Sequence, residues 1–117
     1  MGLSYRPGGA SWPHGGFDLL RQQIAAFEGI DDLEAWWKRR TPYEYDEGSG
    51  TPLTPWLDGH GQHGFFTASQ CQMMIPRFEA ILKFLGDHLS AYDRSNLVAL
   101  VRGMQFCADH DCAMSWG

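Results

Sequence analysis

The chain has 117 residues, of which 44% are hydrophobic and 20% are charged. This length and composition predict one domain, residues 1–117, with enough apolar side chains to fill a core. The formal net charge of −5 argues against nucleic acid or an anionic membrane as a partner, because both attract basic surfaces.

The glycine- and proline-rich start of the chain leaves room only for a short strand at residues 3–5. Apolar residues then recur at steps of three and four from Phe17, and Gly29 is a typical helix stop, so a helix is predicted between them. A second short helix is expected behind an aspartate cap, either Asp31 or Asp32.

The middle of the chain, residues 42–66, shows neither a helical nor a strand period. We therefore expect a long Gly/Pro-rich loop here. A structureless connection of about 25 residues is unusual inside a small domain, and such loops often carry function. This segment is the first place to look for a site.

Helical order returns behind Thr67, which forms a capping-box pattern with Gln70. Pro76 lacks an amide hydrogen, so the pattern over residues 68–89 predicts a helix bent at that position. A last helix with a clear apolar stripe is predicted behind a cap at Asp93. These elements indicate a mainly α fold, with about four helices around one core.

The two ends of the chain offer one further element. Residues 113–116 have the composition of a short strand that could pair with residues 3–5. No secretory signal opens the sequence, and the longest aliphatic run, residues 97–101, is far shorter than the roughly 20 residues that span a bilayer. We expect a cytoplasmic protein with reduced thiols.

Histidines and cysteines form one pattern that resembles a metal site. His60 and His63 have ligand-like spacing, and Cys107, His110 and Cys112 offer two thiolates and an imidazole, donors that zinc takes in a tetrahedron. The usual Cys-x2-Cys pair is missing, and Cys107 falls on the apolar stripe of the last helix. A core cysteine with an incidental histidine is therefore the favoured interpretation, and no cofactor is expected.

A nucleophile is the second pattern that could carry chemistry. Cys71 falls in the first turn of a predicted helix, where the helix dipole lowers a thiol pKa, and His60 or His63 could act as its base. No recognisable catalytic signature surrounds Cys71. A cysteine that packs against the core is the favoured interpretation here too.

Five tryptophans in a chain of this length make a binding surface a third candidate. Packing of these rings into a loop-rich core competes closely with that interpretation. If the first helix packs beside the capped helix, an aromatic wall would meet cationic and imidazole donors, a combination that suits an anionic or nucleotide-like small molecule. The predicted ligand-binding residues are Trp12, His14, Arg21, Trp56, His60 and His63.

Two stretches, MGL…W-P-H-G-G-F…R at the start and HGFFTASQCQMMIPRF in the middle, resemble a group of small phage and bacterial proteins. In that group a Leu-x-His-Ser-Asp-x-Asp-Gly loop leads into a capped helix with a cysteine and a proline. This chain has Gly61 and His63 where the group has two aspartates, so the resemblance implies no cation site here, and it implies no particular activity. The matching positions are Trp12, His14, Gly15, Phe17, Arg21, Gly64, Thr67, Cys71 and Pro76.

From these observations we expect a non-enzymatic binding protein. The resemblance to small phage proteins favours counter-defence, either by sequestering a nucleotide-like or anionic ligand or by blocking a host defence protein. If the protein is phage-encoded, we expect it to act in the host cytoplasm. Two alternatives stay open. One is a zinc protein or hydrolase that uses His60 or His63 with a cysteine, and the other is an immunity-type protein that inhibits a toxin.

Overall fold

A computed structural model describes residues 2–39, 51–57 and 64–117. Its elements in chain order are β1 (Gly2–Arg6), β2 (Ser11–Pro13), α1 (His14–Phe27), α2 (Leu33–Arg39), α3 (Thr54–Leu57), β3 (Gly64–Phe66), α4 (Ala68–Leu85), a 3-10 turn (Gly86–His88), α5 (Ala91–His110) and β4 (Met114–Trp116). The predicted mainly α character is confirmed. The architecture is not purely helical, however, because a small antiparallel sheet accompanies the five α-helices of the described residues.

The sheet has four short strands in the order β2–β1–β4–β3. The terminal strands pair as predicted, with Tyr5 opposite Trp116. The strands β2 and β3 were not predicted, because three residues are too few to show a strand period. Gly8 and Gly9 have φ values of +106° and +73°, which let the chain reverse tightly and pair β2 with β1.

Local signals place the first two helices closely. The helix α1 begins at His14, slightly before the predicted start, and Gly29 follows its end with a φ of +88°. The carboxylate of Asp32 accepts a hydrogen bond of 3.0 Å from the backbone N–H of Ala35, so Asp32 is the aspartate that caps α2.

Part of the segment predicted to be structureless is regular. The side-chain hydroxyl of Thr54 accepts from the backbone N–H of Thr51 at 2.9 Å, which holds the turn that precedes α3. Trp56 and Leu57 of α3 are fully buried. The prediction was wrong here because a single helical turn is too short to show a period, and burial against the core stabilises it instead.

The capping box of α4 is confirmed. Gln70 donates its backbone N–H to the Thr67 hydroxyl at 3.1 Å, and the Thr67 backbone N–H donates to the Gln70 side chain at 2.9 Å. Pro76 lies inside α4 and does not end it. The proline is exposed, so the carbonyl that loses its helical donor can be solvated by water.

The last helix begins at a different cap from the one predicted. The hydroxyl of Ser90 accepts from the backbone N–H of Asp93 at 3.0 Å, so Ser90 is the N-cap and Asp93 lies in the first turn. Serine and aspartate cap equally well, and the sequence pattern does not separate them. The short turn between α4 and α5 lets the two helices pack along each other.

The core draws on every layer of this architecture. Tyr5 of β1 is fully buried among aromatic rings, with Trp12 at 6.2 Å and Phe66 at 6.2 Å between ring centroids. Trp56 continues the cluster towards Phe78, at 5.2 Å. Among the described residues, no helix combines the length and the apolar character that crossing a membrane requires.

Candidate functional site

Three of the predicted ligand-binding residues meet around one ring, that of Phe17. The ring centroids of Trp12 and Trp56 lie 5.7 Å and 5.4 Å from it, and the guanidinium carbon of Arg21 lies 4.8 Å from it. The structure therefore brings these three side chains together around one ring. All three are buried, so the structure uses them as core residues, and a ligand role for them stays a prediction.

The polar ends of two of these side chains are bonded within the protein. The indole nitrogen of Trp12 donates to Asp93 at 3.0 Å, and Arg21 pairs with Asp18 of the same helix at 2.9 Å. A buried indole N–H or guanidinium needs such a partner, because leaving it unpaired costs roughly 1–3 kcal/mol. Each of these two side chains thus has an acidic partner within the protein.

Of the three histidines predicted to bind a ligand, only His14 lies within the described residues. His14 is exposed as the first residue of α1. His60 and His63 lie outside the described residues, between α3 and β3 in the chain. The pocket that these histidines were predicted to share with Trp12 and Arg21 stays a prediction.

An open groove of about 470 Å³ lies along α5. Arg94 and Arg102 stand two turns apart in its lining, which corresponds to about 12 Å along the helix axis. Between them lie the hydroxyl of Ser95 and short apolar side chains. The lining residues are Ala91, Arg94, Ser95, Val98, Ala99 and Arg102.

The β1–β2 turn approaches α5 at the position of this groove. A Cβ atom added to Gly8 would lie 2.6 Å from the carbonyl oxygen of Ala99, and one added to Gly103 would collide with the carbonyl oxygen of Pro7. Only glycine fits at both positions, so the turn and the helix meet backbone to backbone. Ala99 also lines the groove, so this contact fixes the groove-lining part of α5 relative to the β1–β2 turn.

A second contact fixes the N-terminal end of α5 to β2. The backbone N–H of Ser11 donates to the side-chain oxygen of Asn96 at 2.9 Å, and the Tyr92 hydroxyl donates to the carbonyl oxygen of Ser11 at 2.9 Å. Together with the bond from Trp12 to Asp93, these contacts orient the helix turn that carries Arg94. These contacts hold this part of α5 in a fixed position relative to β2.

The groove is cationic although the chain is acidic. Arg94 and Arg102 are both exposed, and within the part of the chain that the structure describes neither guanidinium forms an ion pair. Their hydrogen-bond donors are therefore available to an anion. Guanidinium donors bind phosphate or carboxylate oxygens in a fork, which gives both affinity and orientation.

In residues 2–39, 51–57 and 64–117, no group of three or more His, Cys, Asp or Glu side chains is arranged to hold a metal ion. His110, a candidate ligand in the sequence, stacks on Phe106 with 4.0 Å between ring centroids. Its Nδ1 lies 2.9 Å from the carbonyl oxygen of Phe106.

Arg94 and Arg102 were not among the residues predicted from the sequence. A signal was present, because residues 94, 98 and 102 follow one another at steps of four on a single face of a helix, with arginine at both ends. The two arginines stand out in a chain whose net charge is −5. What the sequence could not show is that this face borders a groove.

Comparisons with models of protein families, with curated proteins and with solved structures found no match to this chain. The chain is therefore classified by its own fold and groove. It is a mainly α protein with a small antiparallel sheet and a groove that presents two arginines.

Proposed function

We propose that this protein is a non-enzymatic binding protein for an anionic, nucleotide-like small molecule, which it holds in the groove along α5. The observation that carries the proposal is the position of Arg94 and Arg102 at either end of a short apolar surface. The volume of about 470 Å³ falls within the roughly 300–1,000 Å³ that is usual for small-molecule sites.

The chemistry of the lining matches the two halves of such a ligand. The long side chains of Arg94 and Arg102 can turn towards a phosphate group between them, and the Ser95 hydroxyl can add a hydrogen bond. Val98 and its alanine neighbours offer an apolar surface for a base or a sugar face. The groove thus combines charge recognition with apolar contact.

We infer that the protein binds a nucleotide-like molecule and does not convert it chemically. A protein that holds a nucleotide and does not transform it lowers the free concentration of that nucleotide in proportion to its own amount. The resemblance of two sequence stretches to small phage proteins favours the capture of a host signalling nucleotide, as a means of counter-defence. The acidic balance of the chain fits a small-molecule partner better than nucleic acid.

Isothermal titration calorimetry tests the proposal. The probes are inorganic phosphate, ATP, cyclic AMP and cyclic di-AMP, each titrated into the wild-type protein. We expect at least one nucleotide to bind with a stoichiometry of one. Arg94→Ala and Arg102→Ala should each weaken that binding about 10–100-fold, because each removes a charge-assisted hydrogen bond.

Two variants serve as matched controls. Lys83→Ala removes one exposed positive charge from α4, outside the groove, and should leave the affinity unchanged. His14→Ala removes an exposed imidazole of the pocket predicted from the sequence, and it should also leave the affinity unchanged. The proposal is wrong if no nucleotide binds, if Lys83→Ala weakens binding as much as Arg94→Ala, or if only His14→Ala weakens it.

A further inference from the structure

The three cysteines of the chain, distant in sequence, meet at one end of α5. Cys71 lies in the first turn of α4, Cys107 in the last turn of α5, and Cys112 just beyond the end of that helix. The thiol of Cys107 lies near the thiols of both Cys71 and Cys112. All three are free thiols.

The end of α5 brings two of these residues together through the backbone. Asp111 adopts the left-handed conformation, with φ 52° and ψ 48°, and turns the chain back over the last helical turn. The backbone N–H of Cys112 then donates to the carbonyl oxygen of Cys107 at 3.0 Å. Residues joined in this way have their Cα atoms close enough for a disulfide, which spans about 4.4–6.8 Å.

The three thiols differ in their access to solvent. Cys71 and Cys107 are fully buried, whereas Cys112 is only half-buried and can meet a reagent from outside. Burial raises the pKa of the Cys71 thiol, and it raises the pKa of Cys107 to about 12. Since the thiolate is the nucleophile, the two buried thiols react slowly with external oxidants.

We propose that Cys112 and Cys107 form a redox-active dithiol whose oxidant is a low-molecular-weight disulfide. The thiolate of Cys112 attacks one sulfur of the external disulfide, which forms a mixed disulfide and releases one small thiol. The thiolate of Cys107 then attacks the Cys112 sulfur, which forms the internal disulfide and releases the second small thiol. Two electrons pass from the protein thiols to the external disulfide, which leaves as two thiols.

The second step uses Cys107 because the backbone bond keeps it beside Cys112, whereas Cys71 is carried by another helix. Proximity of this kind compensates for the low thiolate fraction of a buried cysteine. The product would join α5 covalently to the segment that leads into β4. That strand pairs with both β1 and β3, so oxidation would tie the helix to the centre of the sheet.

Trypsin separates the possible pairings, because Cys71 falls in the peptide of residues 41–77 while the other two cysteines share the peptide of residues 103–117. The folded protein is incubated with oxidised glutathione and freed of excess glutathione. It is then unfolded in guanidinium chloride so that iodoacetamide alkylates every remaining thiol, and the tryptic digest is analysed by mass spectrometry. We expect the 103–117 peptide to be two hydrogen atoms lighter and unalkylated. The 41–77 peptide should carry the alkyl group.

Three outcomes overturn the proposal: a cross-link between the two peptides, full alkylation of all three cysteines, or a glutathione adduct that persists on Cys112. Cys71→Ala should still form the internal disulfide, and Cys112→Ser should leave Cys107 alkylated. Dithiothreitol should restore the reduced peptide. Because the mapping is done on the wild-type chain, the result does not depend on the folding of any variant.

Discussion

The indole nitrogen of Trp12 donates a hydrogen bond of 3.0 Å to the carboxylate of Asp93, across 81 positions of the chain. This bond joins β2 to the first turn of α5, next to Arg94 of the groove. A residue selected from the sequence as a ligand contact thus has a structural partner, and it positions the helix on which we place the site.

Asp93→Ala should lower the free energy of unfolding by about 1–3 kcal/mol, because it leaves a buried indole N–H without its acceptor. Chemical denaturation of the variant measures the loss. Asp87→Ala, which removes an exposed carboxylate from the 3-10 turn, is the control and should change stability by less than about 0.5 kcal/mol. In a Trp12→Phe background the effect of Asp93→Ala should shrink, and an undiminished effect would show that the two side chains are not coupled.

Gly103→Ala should destabilise the protein by about 1–3 kcal/mol, because the added methyl group collides with the carbonyl oxygen of Pro7. Gly86→Ala is the matched control, since an added Cβ there meets no atom within 4 Å and the backbone already has a φ of −56°. That variant should be neutral or more stable by up to about 1 kcal/mol. Thermal unfolding of both variants measures the difference, and equal losses would contradict the close approach of the turn to α5.

Arg77→Ala should cost about 1.5–3 kcal/mol, because Glu28 has a side chain only 3% exposed and would lose its charged partner. In the native protein Arg77 donates two hydrogen bonds to the Glu28 carboxylate, one of them from Nε to Oε1 at 2.9 Å. Lys83→Ala removes an exposed positive charge from the same helix, α4, and it should cost less than about 1 kcal/mol. Urea denaturation ranks the two variants, and the reverse order would show that burial of Glu28 does not govern the effect.

Stability should fall steeply at alkaline pH. Burial holds the pKa of Tyr5 far above its ordinary value, and burial also raises the pKa of Cys71 and Cys107. The native state keeps these protons while the unfolded chain loses them above about pH 8.5 for cysteine and pH 10 for tyrosine. The stabilisation that each protonated group contributes is therefore complete below its pKa in the unfolded chain. It is lost as pH rises from that value towards the higher pKa of the same group in the folded protein.

Each such group should contribute a slope of about 1.4 kcal/mol per pH unit above its unfolded pKa. Tyr5→Phe should remove the loss of stability that begins near pH 10 and leave the loss that is due to the thiols. Denaturation between pH 8 and pH 11 in reducing buffer provides the measurement. A variant whose pH dependence matches the wild type would rule out the buried phenol as a source of the loss.

Local features of the chain could be predicted because a few neighbouring residues decide them. The capping box at Thr67, the stop at Gly29 and the cap at Asp32 each depend on hydrogen bonds or φ values within a few positions. The pairing of the two ends was also visible, as short apolar stretches outside the helices. Elements of one turn, such as α3, escaped prediction because their stability comes from burial and not from a period.

The amino-acid sequence alone determined that the chain is mainly helical and where most helices begin and end, since those choices are made by short-range sterics and hydrogen bonds. The tertiary structure decided that Trp12 and Trp56 serve the core, that Arg94 and Arg102 border a groove, and that three distant cysteines meet. These relationships depend on how the packed helices and strands are placed relative to one another. Packing is set by the shapes of surfaces that residues far apart in the chain build together, and no local pattern records it.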